Sequence, residues 1–107
     1  MAELTPLAVY RNYLDAIEAE SQQTPRNEYL DLLSQGEAID LLCARDEIEE
    51  MHLGTEDQCE LDRLDGLLLK HHHLVSAHTP LFPDKPRSRW WWHLDEGPHV
   101  REKAGIA

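Results

Sequence analysis

Histidines 71, 72, 73, 78 and 93 are the side chains best suited to holding a metal ion. A helical chelate needs ligands about four residues apart, as in the H-E-x-x-H pair. Four residues on from His71, His72 and His73 stand Val75, Ser76 and Ala77, so none of the three gains a partner on its own helix. A site would need ligands from elsewhere, with Glu37, Asp40 and His93 as candidates. Cys43 and Cys59 are the only cysteines and offer no C-x-x-C spacing. The reading is therefore no metal and no cofactor. The histidines form a solvated or partly packed face, and His78 suits the negative end of its helix.

Catalytic spacings are missing as well. There is no G-x-x-x-x-G-K, G-x-G-x-x-G or G-x-S-x-G, and no strand pattern that would present one. Carboxylates are abundant, but general acid–base work needs burial to shift a pKa. Runs such as Asp46-Glu47 and Glu49-Glu50 read as solvated. The chain reads as a non-enzyme.

Recognition chemistry is better represented. Trp90, Trp91 and Trp92 are consecutive, with Arg87 and Arg89 beside them, and Trp and Arg are enriched at binding hot spots. Successive helical residues point about 100° apart, and on a strand two face one way and one the other. One surface of so small a domain is then not expected to cover all three rings. Two would plug the helical layer and one, Trp91, would stand exposed as a partner anchor. Stacking on single-stranded nucleic acid is the other use of such rings. A net charge of −11 opposes it, because each phosphate contact needs a cation.

That charge is uneven. Residues 1–66 carry 17 acidic side chains against four arginines, whereas 67–107 carry four acidic and six basic ones. Glu47, Glu49, Glu50, Asp57 and Glu60 are the candidate acidic face, either for a basic protein partner or in imitation of a phosphate backbone. A solvated surface that keeps the protein soluble is the plainer reading.

The elements that must position these groups are helical. Thr5-Pro6 opens a first helix, with Leu7, Tyr10, Leu14 and Ile17 on one face and an end near residue 21 or 22. Thr24-Pro25 repeats the opening before Tyr29, Leu30 and Leu33. Ser34 and Glu37 have the spacing of a capping box, which predicts a break at 34–36. Residues 36–78 then read as an antiparallel helical hairpin, the organising unit of the fold. Its first arm is striped by Leu41, Ala44, Ile48 and Met51 and closes at a left-handed Gly54. Its second opens with a Thr55–Gln58 capping box and is striped by Leu61, Leu64, Leu68 and Val75. A short link places Ile48 by Leu61, Leu41 by Leu68, and Glu37 by His71 or His72. Leu67, Leu69 and Leu74 add apolar surface that must meet the first helix, the tail or a second copy.

Pro80, Pro83 and Pro86 enforce an extended stretch, in which Leu81 and Phe82 can lie across the hairpin. Ser88 can cap a short helix ending at Gly97-Pro98. The expected organisation is one all-α domain of three to four helices over 1–97, with the hairpin core at 36–78 and a Pro/Trp tail at 79–97. Residues 98–107 show no core-forming pattern and are expected to be flexible. No apolar run approaches the ~20 residues of a membrane span. The start of the sequence does not read as a signal peptide. Two free thiols fit a reducing, cytoplasmic setting.

The expected function is that of a small acidic cytosolic protein, antitoxin-, inhibitor- or adaptor-like, that binds a protein partner, possibly as a homodimer. The alternatives are an acidic mimic of nucleic acid that blocks a nuclease-like protein, and a metal protein built on the histidines. Neither direct nucleic-acid binding nor membrane binding is expected.

Overall fold

The computed structural model describes residues 5–103, and they are all-α. The helices are α1 (Pro6–Ser21), α2 (Gln35–Glu49), α3 (Thr55–Lys70), α4 (His72–Ala77) and α5 (Val100–Lys103), with 3-10 helices at Arg26–Leu32 and Trp90–Glu96. No helix among the described residues is long and apolar enough to cross a membrane.

Helix α1 follows its local signals. The Thr5 hydroxyl accepts from the Ala8 N–H at 3.1 Å, Pro6 fills the first position, and Leu7, Tyr10, Leu14 and Ile17 are buried. Thr24 acts differently: its hydroxyl donates to the Glu20 carbonyl at 2.7 Å and closes α1 instead of opening a new α-helix. The segment after it is a 3-10 helix with no side-chain cap. Of its expected apolar face, only Leu33 at its end is buried; Leu30 is exposed. The Ser34–Glu37 box forms in full, with the Ser34 hydroxyl accepting from the Glu37 N–H and Glu37 Oε1 accepting from the Ser34 N–H. The chain breaks where that box requires.

The join between α2 and α3 departs from its local signals. Gly54, not Thr55, stands at the cap of α3, no side chain completes it, and the Gln58 amide donates to Asp62 instead. Gly54 is extended at φ −71°, and α2 has already ended at Glu49. The connection from 50 to 54 is long enough to leave one helix and enter the next without a left-handed residue. Leu41, Ala44 and Ile48 are buried as their spacing implies, but Met51, past the end of α2, is exposed.

Helix α1 lies against both α2 and α3, and most extensively against α2, whereas the α2 and α3 backbones approach each other sparsely. A close-packed pair with Ile48 on Leu61 and Leu41 on Leu68 is thus not the central unit; their stripes share a core with α1. Long side chains, Arg45 and Asp65, span the gap between them. Glu37 is held at its capping box, and the carboxylate beside His71 is Glu18 of α1.

The second arm is interrupted at His71, whose backbone (φ −103°, ψ 25°) separates α3 from α4. The ring turns inward: Nε2 meets Glu18 Oε2 at 2.8 Å and Nδ1 meets the Tyr29 hydroxyl at 2.5 Å. Leu67 and Leu69 are half-buried against the core, and Leu74 and Val75 are fully buried. The surplus apolar surface of this arm is therefore largely covered within the chain.

After α4 the chain is non-helical until Trp90. Phe82 packs edge-on against Trp92 at 5.2 Å, while Leu81, expected to pack with it, is 72% exposed. The Trp90–Glu96 segment contacts α2, α4 and α5 and ends at Gly97, whose φ of +105° is the one left-handed value among the described residues. In the segment after 97, where no core-forming pattern was expected, Val100 is buried in the core and α5 packs on the tryptophan segment. A single valine in a polar run carries no periodic signal, so its docking was invisible in sequence. Residues 104–107 lie outside the described residues.

Candidate binding surfaces

All three tryptophans are buried, Trp90 and Trp91 to 1% exposure and Trp92 to 5%. The expectation of an exposed Trp91 fails because the rings are covered from three sides rather than by one surface. In a 3-10 helix successive residues point about 120° apart. Trp90 meets Trp91 edge-on at 5.6 Å, and Arg101 stands 5.7 Å from its centroid. The Arg45 guanidinium lies 4.2 Å from the Trp91 centroid. Phe82 and Lys85, from the proline-rich stretch, cover Trp92.

One carboxylate orders the cluster. Asp46 accepts from Trp91 Nε1 at 2.8 Å and from Trp92 Nε1 at 2.9 Å, and pairs with Arg89 Nη1 at 3.0 Å. Arg89 reaches on to Glu50. Arg87 pairs with Glu96 and stays largely exposed. Of these five expected partner-binding residues, four are thus joined in a single anchoring network, and Arg87 alone faces outward.

Beneath lies a charged pair that sequence reasoning passed over. Asp65 is 1% exposed and Arg45 5%. Arg45 donates through Nε and Nη2 to Asp65 at 3.0 and 3.1 Å and through Nη1 to Glu49 at 2.9 Å, while the Tyr10 hydroxyl donates to Asp65 at 2.7 Å. Burial alone would lower the Arg45 pKa; the Asp65 hydrogen bonds and charge outweigh it and hold the pKa above the ordinary arginine value. Burial, then Asp65, pushes the Tyr10 hydroxyl well above the usual tyrosine range. The available signal was positional: Arg45 and Asp65, of opposite charge, fall on the buried stripes of neighbouring helices.

The five carboxylates of the expected acidic face do not act alike. Positions 47 and 49 of one helix point about 160° apart. Glu49 binds Arg45, Glu50 binds Arg89, and Glu60 binds both Arg11 and Arg63. Glu47 and Asp57 are exposed and make no ion pair among the described residues. Most of the candidate histidines are tied down one by one, His72 to the Leu69 carbonyl, His78 to that of Leu30 and His93 to that of Lys85, while His73 is exposed. The described residues contain no group of three metal-ligating side chains. Both cysteines are free, and desolvation, then Asp46 and Asp40, pushes the Cys43 thiol up, away from the thiolate.

Two of the open clefts among the described residues involve α2. A groove of about 410 Å³ runs between α1 and α2, with Val9 and Ala16 beside Tyr13 and with Glu37 and Asp40 at its edge. The Tyr13 hydroxyl donates to Asp40 at 2.7 Å, and that bond chiefly pushes its pKa up to about 12. The second cleft, of about 280 Å³, lies where the α2–α3 connection meets Trp90 and α5. No family model matches this chain, and no curated protein or solved structure shows significant similarity to it.

Proposed function

We propose that this chain is a non-enzymatic cytosolic binding protein whose groove between α1 and α2 takes a basic amphipathic segment of a protein partner. The observation that supports this reading is the groove's composition. An apolar strip of Val9, Ala16 and the Tyr13 ring is edged by the Glu37 and Asp40 carboxylates. An apolar side chain of the partner would cover the strip, and a neighbouring lysine or arginine would meet the carboxylates. A second copy of the chain is a poorer occupant, since it repeats the same charge of −11. On this reading the tryptophans and Arg89 brace the tail rather than touch the partner, and an antitoxin-, inhibitor- or adaptor-like role follows from occupancy of the groove. The nucleic-acid mimic is less favoured, because Glu49, Glu50 and Glu60 already spend their charge on arginines of the same chain.

The test is a titration with a synthetic Leu/Lys amphipathic helix and with its Leu/Glu counterpart, followed by amide NMR shifts. The Lys peptide is expected to move residues 9–16 and 37–40, and the Glu peptide to leave them unchanged. Glu37→Gln keeps the capping acceptor and Asp40→Asn keeps the acceptor for Tyr13. Together they should weaken binding roughly 2- to 30-fold, at ~0.2–1 kcal/mol per exposed pair. Equal binding of both peptides, or shifts confined to another face, would sink the reading.

A further inference from the structure

In a chain with 21 acidic side chains against 10 basic ones, a cleft without a carboxylate on its wall stands out. Clefts elsewhere include Glu49, or Glu37 and Asp40, or Asp95 and Glu96. A cleft of about 380 Å³, where the end of α1 meets the Arg26–Leu32 segment and the α3–α4 junction, includes none. Its walls are Ser21, Thr24, Arg26, Tyr29, Lys70 and His71. Arg26 is exposed and makes no ion pair among the described residues. Lys70 gives one N–H to Glu18 and keeps two. Ser21 and Thr24 donate to carbonyls of α1 and have no proton left to offer.

Tyr29 is the conditional donor of this cleft. Its hydroxyl meets His71 Nδ1 at 2.5 Å, and His71 Nε2 meets Glu18 Oε2 at 2.8 Å. Lys70, then His71, lowers the Glu18 pKa to about 2, so Glu18 is a carboxylate and only accepts. Nε2 therefore carries a proton, and in the neutral ring Nδ1 accepts from the Tyr29 hydroxyl. A second ring proton makes Nδ1 a donor. The Tyr29 oxygen must then accept, and its own proton turns away from the ring into the cleft that Tyr29 lines. His71 is 4% exposed, and Glu18 and Tyr29 are the titratable groups it meets among the described residues. His72 and His78 face carbonyls instead. Arg26, Lys70 and Glu18 carry a net +1 around a neutral ring and +2 around an imidazolium.

We propose that this cleft binds a small tetrahedral oxyanion, free or esterified phosphate, and that protonation of His71 switches the site on by turning the Tyr29 O–H towards the anion beside Arg26 and Lys70. A guanidinium fork and an ammonium are the usual donors to such an ion. With the ring neutral, the Tyr29 oxygen presents only lone pairs to the cleft, which repel an anion. The site is separate from the groove between α1 and α2, and neither depends on the other.

Sulfate is a suitable probe because its charge is constant from pH 8 to 5.5, a range that brackets most imidazole titrations. Nitrogen-15 shifts of the His71 ring should show a proton on Nε2 alone at pH 8 and on both nitrogens at pH 5.5. Sulfate should move the Arg26, Tyr29 and Lys70 amides saturably at low salt, and bind roughly tenfold more tightly at pH 5.5. That factor is what one more unit charge about 6 Å from a divalent anion supplies in water. His71→Gln, which keeps the other six histidines, should lose the tightening. Tyr29→Phe, which keeps the imidazole, should lose part of it, and Arg26→Gln should weaken sulfate at both pH values. Phenyl phosphate binding more tightly than inorganic phosphate at pH 5.5 would assign the ester as the ligand, and the reverse order the free ion. A His71 ring with a proton on Nδ1 at pH 8 or without one at pH 5.5 would overturn the proposal. So would the lack of a saturable shift at pH 5.5, or a tightening that survives in His71→Gln or undiminished in Tyr29→Phe.

Discussion

Removing the Asp65 carboxylate is the sharpest perturbation of this fold. Asp65→Ala deletes the acceptor of three bonds, from the Tyr10 hydroxyl at 2.7 Å and from Arg45 at 3.0 and 3.1 Å. Arg45 is then left in the core with Glu49 as its remaining ionic partner, and the Glu49 side chain is 48% exposed. Breaking a buried pair from one side costs about 3–5 kcal/mol, most of it the uncompensated charge. A domain of this size has a total stability of about 5–15 kcal/mol, so the variant should be marginal. Asp65→Asn keeps an acceptor for Tyr10 and should lose less. Replacing the whole unit, in Arg45→Met/Asp65→Leu/Tyr10→Phe, should return stability to within about 2 kcal/mol of the parent, since apolar replacements of buried pairs are often neutral. Urea melts followed by circular dichroism at pH 7 measure each variant, and the Arg45/Asp65 double-mutant cycle measures their coupling. A loss below about 1 kcal/mol in Asp65→Ala, or a coupling near zero, would refute the claim that these groups form one desolvated unit.

Asp46→Ala should cost about 2–4 kcal/mol, because it strands two indole N–H groups at once, and tryptophan fluorescence should report the loosened tail before global unfolding. Gly97→Ala should cost about 1–3 kcal/mol in a urea melt although no atom lies within 4 Å of the added Cβ, because φ +105° with ψ −177° is a region essentially confined to glycine. Glu18 should shape the acid limb. Lys70, then His71, lowers its pKa to about 2, so its contribution is complete above the unfolded value of ~4.3 and is lost as the pH falls towards 2. After solvent screening that contribution is about 1 kcal/mol, and Glu18→Gln should reduce the fall in unfolding free energy between pH 4.5 and 2 by that amount in urea melts.

What the sequence disclosed was whatever depends on near neighbours. The Thr5-Pro6 opening, the α1 stripe and the Ser34–Glu37 box each rest on residues three to seven positions apart, and each is present. The same kind of signal misled at Thr55, where the chain entered the helix one residue earlier, and at Thr24, whose hydroxyl had a nearer carbonyl. The tryptophan geometry assumed one covering surface, and long-range contacts supplied three. Arg45 and Asp65 went unread because each is costly to bury alone, and only their meeting, 20 residues apart, makes burial tolerable. The groove between α1 and α2 was hidden for a similar reason: Tyr13 and Asp40 come together only once α1 lies along α2.

The junction of the tail with Asp46 also bears on the order of folding events. The Trp90–Glu96 segment has no side-chain cap of its own, and two of its indoles are held by a residue 45 and 46 positions earlier. Such distant closure adds loop entropy before it returns any contact, so the segment should consolidate after α2 rather than nucleate it. Amides of Trp90–Glu96 would then exchange with deuterium by a sub-global opening that leaves α1 and α2 protected, making this segment a separable cooperative unit.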